Sequence, residues 1–125
     1  MENKDLNEYI FHLVQLQNQL KVYHWQTKIF SKHKALCEVY DFLAGQIDEI
    51  AEIAMGKYGR VDADGINHSY KNISDAALNE DIENCIEHCV NLTSSLDSKK
   101  DTDLLNLRDE VLGNLNKLKY LLTLK

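Results

Sequence analysis

No proline occurs among the 125 residues, and glycine only five times. Little in the chain therefore forces a helix to break, and long uninterrupted helices are allowed. No run of about 18 apolar residues is present, which argues against a membrane-spanning segment. The opening residues Met1-Glu2-Asn3-Lys4-Asp5 lack the basic start and apolar core of a secretion signal. Cysteine is sparse and odd in number: Cys37, Cys85 and Cys89 suit reduced thiols in a cytoplasm better than a disulfide framework. The Asn-x-Ser/Thr triplets at Asn67, Asn72 and Asn91 are accordingly read as chance. Basic excess is also missing. A formal net charge of -6 with scattered lysines disfavours nucleic acid, which needs clustered Lys and Arg to displace counterions.

What is present is helical periodicity. Apolar residues fall at Leu6, Tyr9, Leu13, Leu16, Leu20 and Tyr23, in steps of three and four, and predict a first helix over about 4–27. Leu36, Val39, Leu43, Ile47, Ile50 and Ala54 predict a second over about 31–56, with Ser31 as N-cap and Gly56 as C-terminal cap. Residues 57–77 lose the pattern and carry turn formers, so they form a long crossover. Asp62-Ala63-Asp64-Gly65 looks like part of a calcium loop, but its glycine comes too early and no closing glutamate follows. Leu78, Ile82, Cys85, Cys89, Leu92 and Leu96 predict a third helix over about 76–97. Leu104, Leu107, Val111, Leu115, Leu118 and Leu122 predict a fourth over about 101–124, capped by Asp101 or Thr102. The expectation is one all-α domain over residues 1–125: two helical hairpins joined by a long crossover, the four-helix bundle of ferritin-like connectivity. With 44% hydrophobic residues there is enough apolar material for one core.

Few residues in this pattern carry chemistry. Cys85, His88 and Cys89 share a face of the third helix, but three donors within one turn and no fourth nearby make a poor zinc cage, so the thiols are read as core. His24 shares the inward side of helix one with Leu13, Gln17 and Leu20. His33 opens helix two, and a turn near residues 28 and 29 brings the two imidazoles to one level on adjacent antiparallel helices. Asp48 and Glu52, four apart, place two carboxylates on one face. Imidazole with carboxylate suits iron, manganese or zinc. Yet His33 and Asp48 stand 15 residues apart, roughly 22 Å along one helix. Only a two-fold axis near Tyr40 or Asp41, setting helix two antiparallel to its copy, brings them together. A metal site at His24, His33, Asp48 and Glu52 is therefore shared between subunits or does not exist. Trp25 reads either as a residue screening a metal site or as packing between helices, and packing explains it adequately.

The run Tyr23-His24-Trp25, then Phe30 and His33, then Asp48-Glu49-Ile50-Ala51-Glu52 and Met55-Gly56 resembles the signature of Dps-type mini-ferritins. Small ferritin-like proteins of unknown role, some of them viral, share it. The likeness is strong over residues 20–56. It implies a homodimer or larger homo-oligomer, cytoplasmic, with a di-iron ferroxidase site held by His24 and His33 of one subunit and Asp48 and Glu52 of its partner. Here the gap between the histidines is shorter than in the family, Cys37 stands where the family often has another acid, and no basic N-terminal tail is present. Neither a hollow cage nor DNA binding is implied. The alternative is a non-catalytic structural or interaction module that dimerises through helix two.

Overall fold

The structure is a computed structural model describing residues 1–125. It is all-helical and contains no strand. The elements are α1 (Lys4–Gln26), α2 (Phe30–Tyr58), α3 (Asp75–Asn91), a 3-10 turn (Leu92–Ser95) and α4 (Thr102–Leu121).

Each helix starts and stops for local reasons. Asn3 caps α1 by accepting the Leu6 N–H (3.1 Å), and Ser74 caps α3 by accepting that of Ala77 (3.0 Å). Ser31 is not the cap of α2. The helix begins one residue earlier, Ile29 holds the N-cap position without a side-chain bond, and Thr27 Oγ1 accepts the Ile29 N–H instead. The far end of α2 also differs from expectation, because Gly56 stays helical and Gly59, at φ +88°, terminates it by donating to the Met55 carbonyl. The third periodic stretch divides at Asn91, where Thr93, Ser94 and Ser95 concentrate hydroxyls that compete for backbone partners. Ser94 Oγ donates to the Asn91 carbonyl at 2.9 Å, and the chain tightens into the 3-10 turn. Asp101 does precede α4, but its carboxylate makes no capping bond.

The helices pack around one core of 24 buried apolar residues. Every position of the first three apolar stripes is buried, and on α4 Leu104, Val111, Leu115 and Leu118 are. Helix α1 lies against α2 and α3, and α4 lies against the same two from the other side. Lys57, near the end of α2, pairs with Asp101 and Asp103 at the start of α4. Lys32, near the start of α2, pairs with Asp75 at the start of α3, and Ser31 Oγ bonds the Leu124 carbonyl. Thus α1 and α4 run one way, α2 and α3 the other.

Running α2 and α3 in the same direction requires the intervening chain to travel back along the bundle, and residues 59–74 do so against α1. Side-chain amides of α1 stand in for a partner strand. Asn7 both donates to the Asp62 carbonyl (2.9 Å) and accepts its N–H (2.8 Å). Gln19, buried, does the same with Lys71 (2.8 and 3.0 Å), and Gln26 accepts the Ile73 N–H (2.7 Å). Replacing Gln19 by alanine leaves both backbone groups of Lys71 without those partners. A loss of about 2 kcal/mol in urea unfolding is expected, from two hydrogen bonds contributing about 1 kcal/mol each.

Candidate functional site

The turn between α1 and α2 brings His24 and His33 together. Their rings stack with centroids 3.9 Å apart and planes 24° from parallel. His33 Nδ1 lies 2.8 Å from the His24 carbonyl oxygen. A carbonyl only accepts, so Nδ1 carries the proton and, in the neutral ring, Nε2 of His33 presents a free lone pair. His24 is 8% exposed, and its Nδ1 has no hydrogen-bond partner. It is the one buried side-chain nitrogen or oxygen in the chain left in that state. Burial, and next the neighbouring His33, hold the His24 pKa below the ordinary imidazole value against the opposing pull of the Lys21 carbonyl and Asp41. Both causes favour a neutral ring, in which one nitrogen keeps a free lone pair.

Two further residues join this pocket. Tyr40 meets His24 edge-on at 5.0 Å, and Asp41 acts on His24 through its charge. The spacing argument used them to place a two-fold axis and did not set them beside His24, although seven and eight positions after His33 they fall on its side of α2. Lys21 lies over the Tyr40 ring at 5.4 Å, and the Cys37 thiol is 3.7 Å from both the Tyr40 hydroxyl and an Asp41 carboxylate oxygen.

Asp48 and Glu52 sit elsewhere. Both are exposed on the outer side of α2, neither forms an ion pair or hydrogen bond within the chain, and the helix is unbroken between them and His33. The four residues singled out by spacing therefore fall into two separate pairs on the chain. No three His, Cys, Asp or Glu side chains of a single chain come together so as to hold a metal ion. Trp25 departs from its reading as helix packing: it is 67% exposed at the end of α1, beside Ile29 and Phe30, which are 47% and 72% exposed.

Residues 24–122 match a family of unknown function, DUF5856, a span that holds all four of these residues. The chain belongs to that family. No curated protein and no solved structure matches it. No helix is long and apolar enough to cross a membrane.

Proposed function

We propose that this DUF5856 chain is a ferritin-like protein, of the Dps-type kind, that binds ferrous iron in a pocket completed by a second copy of itself. His24 and His33 come from one subunit, Asp48 and Glu52 from its partner. The observation that carries the reading is the unpartnered Nδ1 of His24 beside a His33 whose Nε2 is free. A buried imidazole nitrogen without a partner costs the fold stability unless something binds it. The in-plane lone pairs of two stacked rings do not aim at one atom, and so suit two neighbouring ions better than one.

Other features agree. The helix directions, with a long crossover between parallel α2 and α3, are compatible with ferritin-like connectivity and support that reading. The outer side of α2 is unoccupied, and at Ala44 and Gly45 it is bare enough for another helix to approach, with nothing within 4 Å of an added Gly45 Cβ. A two-fold axis near Tyr40 and Asp41 sets His33 of one copy against Asp48 and Glu52 of the other, and gives the apolar end at Phe30 a surface to cover.

Ferrous iron is then the substrate of a ferroxidase, in iron detoxification or storage. Each ion gives one electron to an oxidant; with hydrogen peroxide, a pair of ions and two protons yield two waters. The chain supplies two imidazoles, that of His24 held neutral by its burial, and, in Glu38, Asp41 and Glu49, a negative approach for the cation.

The test is an anaerobic ferrous titration of the metal-free protein beside His33→Ala, followed by peroxide. Saturable binding approaching roughly two irons per site, weakened at least about tenfold in the variant, and ferric absorbance after oxidant are expected. Uptake no greater than that of a helical control protein overturns the reading. The rival is a structural or interaction module that dimerises through α2 and binds no metal, favoured by the lack of three converging donors in one chain. An intact dimer with iron uptake unchanged by His33→Ala would select it.

A further inference from the structure

The chain has five histidines. Apart from His24 and His33, the fold places His12 on α1 against His88 on α3, with rings stacked at 3.8 Å between centroids and 13° between planes. The fifth, His68, stands on the crossover within electrostatic reach of His12. The stack is a shared wall. On one side is a cavity of about 330 Å³ bordered by the crossover at Ser69–Lys71, and on the other a cavity of about 270 Å³ bordered by the start of α1 and the 3-10 turn; His12 and His88 line both. One and two turns along α1 from His12, Gln15 and Gln19 hold the crossover at the Ser69 carbonyl (3.2 Å) and at both backbone groups of Lys71.

We propose that the His12–His88 stack is an acid-sensitive latch: neutral rings hold α3 and the crossover against α1, and protonation frees the crossover while the four helices stay packed. Two neutral imidazoles stack favourably, whereas two imidazolium rings this close repel each other.

The surrounding charges do not rescue the protonated pair. From α1, Glu8 favours imidazolium, while Asp5 already accepts the Ser95 hydroxyl at 2.7 Å. From α3, Asp81 is committed to Lys71 at 3.0 Å and to the Tyr23 hydroxyl at 2.6 Å. The crossover brings two groups that oppose a proton, His68 and Lys71, together with the phenol of Tyr70. Tyr9 and Cys85 stay neutral, the phenol pushed far up chiefly by burial and the thiol raised chiefly by its hydrogen bond with Cys89. The 3-10 turn contributes only the neutral Leu92, Ser94 and Ser95.

The balance agrees with this geometry: burial first, then His88, hold the His12 pKa below the ordinary value of 6.5, with Glu8 opposing and His68 adding to the depression. An opened His12 takes up a proton at higher pH than a stacked one. Linkage therefore leaves the stack fully supported above about pH 6.5 and weakens it as pH falls toward the depressed value.

Amide hydrogen exchange of the full chain tests this at about pH 7.5 and about pH 5.5, either side of the ordinary imidazole value. His88→Phe keeps a stacked ring but removes its charge, and comparison at equal pH cancels intrinsic exchange rates. Protection of the Lys71 and Ile73 amides, relative to His88→Phe, should fall in acid by several-fold, up to about tenfold, the ceiling set by a pH one unit below the ordinary imidazole value. Amides in the middle of α2 and α4 should not change. His12→Gln removes the other titrating ring of the stack and is compared in the same way. A ratio that does not change with pH for either variant overturns the latch, as does an acid loss abolished by His33→Ala but not by His88→Phe.

Discussion

Mixing the His33→Ala and Asp48→Ala chains, each unable to hold iron alone, should restore saturable ferrous binding to about a quarter of all sites. The figure follows from the symmetry of a two-fold dimer. In a mixed dimer one site receives both altered residues, while the other receives His24 and His33 from the Asp48→Ala chain and Asp48 and Glu52 from the His33→Ala chain. Random exchange makes about half the dimers mixed, each with one whole site. Neither parent alone should bind measurably, and helicity should be unchanged in both, since Asp48 is exposed without a partner and the His33 ring only partly buried. No site confined to one chain gives this result. Restoration absent despite subunit exchange, verified with differently tagged chains, would remove the shared site even if each single variant were defective.

The helices were legible because each buries a regular stripe, and steps of three and four in apolar residues survive any detail of packing. Ends were less so. Gly56 has the chemistry of a terminator, but the ladder reaches Tyr58 and the left-handed position falls on Gly59. At residues 92–95, Leu92 and Leu96 extend the stripe while the hydroxyls between them break the helix, so the burial was foreseen and the backbone was not. The meeting of His24 with His33 followed from a short turn between antiparallel helices. The stacking of His12 on His88 could not follow, since it depends on how α1 and α3, separated by α2 and the crossover, rotate against each other. The amide partners of the crossover were hidden for another reason: Asn7, Gln19 and Gln26 look like ordinary polar residues of a helix, and only the path of 59–74 gives them a backbone to bind.

Asp101→Ala should cost about 3 kcal/mol in urea unfolding at neutral pH, well above the cost of Asp103→Ala on the same lysine. Asp101 is 2% exposed and joins two separated parts of the chain. Its Oδ2 accepts the Tyr58 hydroxyl at the end of α2 (2.6 Å) and the Asp97 N–H of the α3–α4 connection (2.8 Å), while Oδ1 lies 3.3 Å from Lys57 Nζ. Alanine strands a phenol and an amide and opens the seam between α2 and α4, with each unmet group costing about 1–3 kcal/mol. Lys57 keeps Asp103 at 2.8 Å and the Lys100 carbonyl at 2.6 Å, so it is not stranded. Asp103 is 45% exposed, and a surface pair of that kind contributes about 1 kcal/mol or less. Burial on its own would raise the Asp101 pKa; the bonds from Tyr58, the Asp97 amide and Lys57 outweigh it and hold the value below 3.8. A carboxylate depressed in this way supports the fold fully above its unfolded value and loses that support as pH falls through the folded one. The gap between wild type and Asp101→Ala should hold from neutrality down to about pH 5 and narrow below pH 4. A constant gap through that acid range would mean that the side chain acts by filling space at the seam, and that its charge contributes nothing to joining α2 with α4.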